Sequence, residues 1–262
     1  MALHVDRLTK EYGETTALSE VSFEIPDGTF AVVLGESGAG KSTLLRILNG
    51  LTEPTSGQVY LDGQEITDSR SDVGMVFQHH NLVAELSAYS NALTGTFNRA
   101  GFVRSLLGRQ ASEDKELALE ALETVGLLSE AGQTVRSMSG GQQQRVGIAR
   151  ALVQRPDLLL ADEPVASLDP ANAETVMQYL RETARSRDLT TLASLHQVNI
   201  AREFGEQFVG LRDGEVVFSG PRDALTPDVL EEIYGYIETD KLREGTDTGA
   251  SEPSRTHSRS EL

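Results

Sequence analysis

Cysteine and tryptophan are both absent from the 262 residues. Without cysteine the chain has no disulfides, no thiolate metal sites and no cysteine nucleophile, which fits a reducing compartment. Long apolar runs are missing too. Stretches such as Phe30 to Leu34 and Leu158 to Ala161 fall far short of the roughly 20 residues that a membrane helix needs. Met1 to Arg7 show no basic region followed by an apolar stretch, so a secretory signal is not expected. Lysine is scarce, confined to Lys10, Lys41, Lys115 and Lys241, and arginine is the main cation.

Acid is abundant instead. Lysine and arginine number 23 against 40 aspartates and glutamates, a formal net charge of −17. A coat for nucleic acid or for an anionic membrane is therefore disfavoured, nucleic acid is not an expected partner, and the cations must act locally. The acid is spread along the chain, which suggests a surface tuned to concentrated salt. Carboxylates that repel one another in dilute buffer are screened once the Debye length falls to about 3 Å at 1 M. The length, with 39% hydrophobic and 24% charged residues, suits one large domain or two small ones with a substantial core.

The first residues read as antiparallel strands, with Val21, Phe23 and Ile25 alternating with polar Ser22 and Glu24. Pro26-Asp27-Gly28 makes a turn, and Phe30 to Leu34 is the continuous apolar run of a strand covered on both faces. A helix is expected from Lys41 to Asn49, stopped by Gly50, with strands at Gln58 to Leu61 and Val73 to Phe77. Residues 82–152 read as a helical subdomain, in which Leu117, Ala121, Leu122 and Val125 share a face and Gly126 is placed as a C-cap. Strands resume at Leu158 to Ala161 and Leu189 to Leu195, separated by a helix that Asp169 caps and Pro170 opens. Alternating buried strand and helix argues for an α/β fold with a parallel sheet. Phe208 to Phe218 reads as a hairpin turning at Asp213-Gly214, Thr226-Pro227 starts a last helix, and 243–262 reads as a disordered polar tail.

Gly35-Glu36-Ser37-Gly38-Ala39-Gly40-Lys41-Ser42 is a G-x-x-x-x-G-K-S loop between an apolar strand and a helix, the setting a P-loop requires. Its backbone amides and the helix N-terminus suit a polyphosphate, Lys41 reaches the β- and γ-phosphates, and Ser42 ligates Mg²⁺. Asp162 and Glu163 follow the apolar run from Leu158, at the strand end where α/β sheets place their sites. Asp162 is expected to hold Mg²⁺, and Glu163 to take a proton from the attacking water or to orient it. Read alone, such a pair is an ordinary strand end meeting solvent. Ser139-Gly140-Gly141-Gln142 at a helix start is a second phosphate nest, and two nests per chain grip two nucleotides only in a head-to-tail pair of copies.

These motifs, in this order, resemble the ATP-binding cassette family over Leu3 to Ile237. The resemblance implies a P-loop NTPase of ABC type, with a parallel-sheet core, an antiparallel β subdomain and an inserted helical subdomain, over 1–242. It implies that Tyr12 stacks on adenine, that Gly35 to Thr43 and Ser139 to Gln142 hold ATP, and that Gln78 touches Mg²⁺ and water. It also implies that Asp169 crosses a dimer interface, where its helix-capping role is an equally good account, and that His196 contacts the γ-phosphate. His4, His79, His80 and His257 match no such position. Met138 replaces a usual leucine, Glu36 a common proline, and Gly147 sits within a helix at a cost of about 1 kcal/mol.

Asn81-Leu82-Val83, Leu86-Ser87, Asn91, Arg104 to Gly108, Ala161 to Pro170 and Ser194 to Val198 resemble the ATP-binding subunits of phosphonate importers. The implied partners are a second copy, membrane permease subunits and, through the permease, an extracytoplasmic solute-binding protein. The implied place is peripheral, on the cytoplasmic face of the cell membrane. Importers of phosphate, phosphite or polar amino acids are alternatives, as is a non-transport ATPase of a soluble phosphonate-degrading complex. DNA-repair relatives are disfavoured by −17 and by the lack of long coiled-coil insertions, and a module without catalysis by the presence of Lys41, Asp162, Glu163 and His196.

The acidic surface makes a direct prediction. The melting temperature should climb as KCl is raised from about 0.1 to about 3 M; a transition indifferent to salt would remove the halophilic reading.

Overall fold

The computed structural model describes residues 3–66, 72–78, 81–96 and 112–235. Arg104 to Gly108, His79, His80, His257, the helical reading of 97–111 and the tail 243–262 lie outside the described residues. The chain opens with β1 (Leu3–Tyr12) and β2 (Thr15–Ile25), then β3 (Phe30–Leu34) and α1 (Lys41–Leu48). Next come β4 (Ser56–Leu61), β5 (Gln64–Glu65) and β6 (Val73–Val76), followed by α2 (Ala88–Leu93), α3 (Ser112–Thr124) and α4 (Gly140–Leu152). β7 (Leu158–Asp162), α5 (Pro170–Ser186), β8 (Thr190–Ser194) and α6 (Val198–Phe204) alternate, and β9 (Gln207–Arg212), β10 (Glu215–Pro221) and α7 (Pro227–Tyr234) follow.

Two sheets result. The smaller is antiparallel, in the order β2-β1-β4-β5, and the larger runs β10-β9-β3-β8-β7-β6. In the larger sheet β9, β3, β8, β7 and β6 are parallel, and β10 returns antiparallel from β9 at the edge. The α/β reading with an antiparallel part therefore holds.

The apolar runs show why. Along β3, Phe30, Val32 and Leu34 join one hydrophobic cluster, while Ala31 and Val33 join another on the opposite face. β7 does the same, with Leu159 and Ala161 on one side and Leu158 and Leu160 on the other. A strand buried on both faces has no polar side to show, so its sequence reads as an unbroken run. α1 lies with the antiparallel sheet, through Leu44, Leu45, Ile47 and Leu48, and the remaining helices cover the other face. The face of α3 shared by Leu117, Ala121 and Leu122, with Val125 just beyond, is buried.

Local signals stop and start the helices. Ser139, Asp169 and Thr226 each cap a helix through the side-chain oxygen, and Pro170 and Pro227 open theirs. The helix from Lys41 stops at Leu48, one residue before the expected end, because Asn49 is its C-cap. Val73 begins a strand that ends at Val76, so Phe77 falls outside the ladder.

Where β1 crosses β4 the ladder is irregular between Asp6 and Thr9, and Arg7 takes a φ of 44°. Gly57 faces this bulge at φ +85°, and a Cβ there would lie 2.2 Å from the Arg7 carbonyl oxygen. Gly57→Ala should therefore cost about 1–3 kcal/mol in urea unfolding. Gly13→Ala, at φ +61° with nothing within 4 Å of the added carbon, should cost less; equal stability of the two variants would contradict the contact.

Candidate active site

The glycine-rich loop between β3 and α1 is shaped by what surrounds it. Gly40 is the N-cap of α1 at φ 100°, and it supplies no side-chain cap. A Cβ on Gly40 would meet the Ala17 carbonyl oxygen at 2.7 Å, so another residue type cannot sit there without shifting β2. The first amides of α1 consequently point from an uncapped helix start, with the positive end of the helix behind them. Lys41 is 4% exposed. Its Nζ donates to the carbonyl oxygens of Gly35 at 2.7 Å and Glu36 at 2.8 Å. An ammonium has three protons, so one remains for an incoming anion. Burial pushes the Lys41 ammonium below its ordinary range, and the nearby Glu163 and Asp162 carboxylates oppose that push.

Asp162 ends β7 at 6% exposure. Its Oδ1 accepts from Ser42 Oγ and from Ser194 Oγ, each at 3.0 Å. Ser194 Oγ also accepts from the Glu163 amide at 2.9 Å. Directly after the strand, Glu163 turns into the left-handed region at φ 46°. For a residue with a Cβ that conformation costs about 1–2 kcal/mol, and such strain gathers at functional sites. The Glu163 carboxylate has two partners. Gln78 Nε2 donates to Oε2 at 3.0 Å, and His196 Nε2 pairs with Oε1.

These groups surround a cleft of about 340 Å³. Ser37, Gly38, Gly40, Lys41, Ser42 and Thr43 form its loop side, and Gln78, Glu163 and His196 face them. Gly35 and Glu36 do not line it but hold Lys41 through their carbonyls. Asp162 reaches it through Ser42.

Three expected elements lie elsewhere. Tyr12 ends β1 at 51% exposure, with the Lys10 ammonium 4.9 Å from its ring centroid. Ser139 and Gln142 form a capping box at the start of α4, the Gln142 amide donating to Ser139 Oγ at 3.3 Å and the Ser139 amide to Gln142 Oε1 at 2.9 Å. Asp169 caps α5 and accepts from the Asn172 amide at 3.1 Å, and these side-chain and backbone bonds hold its carboxyl below the usual range. The last two belong together, since Gly140 lies against Leu168 and Gly141 against Asn172. Ser194, which joins Asp162 to Glu163, was not anticipated as a site residue. The parallel register of β7 and β8 sets it beside Asp162, a pairing that the sequence alone does not show.

Residues 18–166 match the model of the ABC transporter family. The chain belongs to that family. It is 62% identical, over 94% of its length and 88% of the relative, to the phosphonates import ATP-binding protein PhnC of Halobacterium salinarum. It is 61% identical to phosphonates import ATP-binding protein PhnC 2 of Haloquadratum walsbyi, over 90% of this chain and 84% of that one. Among solved structures it resembles the dimeric, post-hydrolysis ATP-binding cassette MJ0796 bound to ADP and Pi, at 36% identity and a TM-score of 0.71. That match covers 84% of this chain and 98% of the other. A nucleotide-free cassette of an ABC transporter superposes with a TM-score of 0.79 at 25% identity, over 90% and 99% of the two chains.

The bridging hydroxyl yields a prediction. Ser194→Ala strips the Glu163 amide of its acceptor and Asp162 of one donor, which should cost about 1–3 kcal/mol of stability. ATP turnover should fall while ATP binding persists; undiminished turnover would deny Ser194 any part in holding Glu163.

Proposed function

We propose that this chain is the ATP-hydrolysing subunit of a membrane importer whose solutes are phosphonates. One observation carries the ATPase reading: Lys41, Ser42, Gln78, Glu163 and His196 meet in a single cleft, with Asp162 bonded to Ser42 behind them. Phosphonate as the solute rests on the two haloarchaeal relatives named for phosphonate import, because an imported solute never touches this chain.

ATP would lie with its phosphates on the start of α1, where the uncapped amides and the remaining Lys41 proton meet the β- and γ-phosphate oxygens. Ser42 Oγ and Asp162 Oδ1, hard oxygen donors 3.0 Å apart, suit Mg²⁺, which typically takes one or two protein oxygens beside substrate phosphates. Bound there, the ion would neutralise phosphate charge. Gln78 uses its amide nitrogen on Glu163, which leaves its oxygen for the ion or the attacking water. Glu163 accepts the water's proton, held in place by Gln78 and His196. His196 also reaches toward the γ-phosphate, and Tyr12 stacks on adenine.

Ser139 to Gln142 open α4 and would serve a nucleotide held on the P-loop of a second copy. Two copies paired head-to-tail satisfy both nests, with Asp169 at the seam; the MJ0796 cassette with ADP and Pi is likewise dimeric. In this reading 1–242 is the ATPase unit, with 82–152 as its helical part. Closure on ATP moves the segment after Gln78 against the permease, on the cytoplasmic face of the membrane, and a solute-binding protein acts from the other side.

Glu163→Gln purified with Mg-ATP in molar KCl from detergent-solubilised membranes should behave as a trapped dimer in light scattering. It should carry a polytopic permease and turn ATP over about 100-fold or more slowly than wild type. Wild-type turnover would refute Glu163 as the base, and companions limited to soluble phosphonate-degrading components would refute import.

A further inference from the structure

Asn81 is the third residue after Gln78, and the loop from 81 to 87 that it opens belongs to no strand. Its backbone is nevertheless bonded at nearly every step, once within the loop, where the Leu86 amide donates to the Val83 carbonyl at 3.1 Å, and otherwise to the helical layer. The Val83 amide donates to Asn91 Oδ1 at 2.8 Å, and Asn91 Nδ2 donates to the carbonyls of Val83 and Ser87 at 3.0 Å and of Leu86 at 3.4 Å. Arg150 of α4 donates to the Asn81 carbonyl at 2.5 Å. The amides of Val135 and Arg136 donate to the carbonyls of Leu86 and Ala84 at 3.0 Å, and Arg136 pairs with Glu85 at 2.6 Å. Gln143 of α4 in turn donates to the carbonyls of Val135 and Met138 at 3.1 Å. Thus the loop, the segment before Ser139 and α4 are one hydrogen-bonded piece, and Asn91 is its centre.

Asn91 is 1% exposed on a short helix among Ala88, Ala92 and Leu93. An amide that deeply buried is tolerated only when its donors and acceptor are satisfied, as they are here by the loop backbone alone. Packing would be served as well by leucine. The polar side chain is explained by the loop it holds.

The geometry points to Asn91 as a positioning residue that couples the two ATP sites of the dimer; this rests on the head-to-tail reading above. Ser139 to Gln142 would contact the nucleotide of the other copy, while Gln78 bonds Glu163 in its own. Because the loop after Gln78 is fastened to the α4 piece, movement of Ser139 on meeting that nucleotide is passed to Gln78 within the same chain. Binding at one site therefore prepares Glu163 at the other, a coupling between distinct sites. Arg150 is the second fastening.

Steady-state hydrolysis against ATP concentration tests this, together with hydrogen exchange at 81–87, in wild type, Asn91→Leu and Asn91→Asp. Wild type should give a Hill coefficient above one and protection of 81–87 on Mg-ATP addition. Both variants should move the coefficient toward one, raise half-saturating ATP at least about fivefold, the low end of ordinary coupling, and lower the rate at saturating ATP, because Glu163 is no longer prepared by the opposite site. The aspartate variant retains an acceptor for the Val83 amide and similar volume, so it reports even if the leucine variant folds poorly. Faster exchange at 81–87 with unchanged cooperativity would reduce Asn91 to a structural role and overturn the proposal, as would a wild-type coefficient of one. A chain without any ATP turnover would sink the ATPase reading instead. Exchange alone then decides, and equal Mg-ATP protection of 81–87 with and without Asn91 would overturn the coupling.

Discussion

Asp162 Oδ1 accepts two hydroxyl hydrogen bonds, from Ser42 at the start of α1 and from Ser194 at the end of β8, each at 3.0 Å. Through that one oxygen, β7, β8 and the phosphate-binding helix are held in register. Ser194 then fixes the Glu163 amide, which places the carboxylate between Gln78 and His196. A carboxylate this buried is costly unless bonded, and bonded it is a strong and directional tie. The sheet order serves the same end. β3 and β7 flank β8, so the P-loop, the two carboxylates and His196 all issue from adjacent parallel strands, at the carboxyl ends where α/β folds gather their ligands.

Legibility in the sequence follows from the range of each interaction. The alternation in β2, the unbroken runs of β3 and β7, and the caps Ser139, Asp169 and Thr226 are local patterns, and the structure realises them almost residue for residue. The glycine-rich loop was legible for the same reason, since a helix start and a phosphate cradle occupy eight consecutive residues. Ser194 and Asn91 were not legible as functional parts. The one acts on residues 31 and 32 positions away. The other is a lone asparagine in an apolar stretch whose meaning appears only when the loop folds back upon it. The left-handed turn at Glu163 was equally hidden, because propensity places a glutamate after a strand in no special conformation. Tyr12 lies exposed at a strand end with the Lys10 ammonium 4.9 Å from its ring centroid.

The chain must concentrate a polyanion on a protein of net charge −17, and the site shows how the two are reconciled. Long-range attraction is not available, so the contacts are short: helix-start amides, and one ammonium buried at 4% exposure whose nearest partners are carbonyl oxygens at 2.7 and 2.8 Å. In molar salt, screening acts beyond about 3 Å, which erases the repulsion between the acidic surface and the phosphates while leaving contacts of hydrogen-bond length largely intact. The same salt quiets the mutual repulsion of the surface carboxylates and of two such chains approaching each other. Burial lowers the affinity of Lys41 for a proton, and Glu163 and then Asp162 oppose that push without cancelling it. That balance is set inside the cleft, around one buried ammonium, where concentrated salt screens far less than it does among the exposed carboxylates.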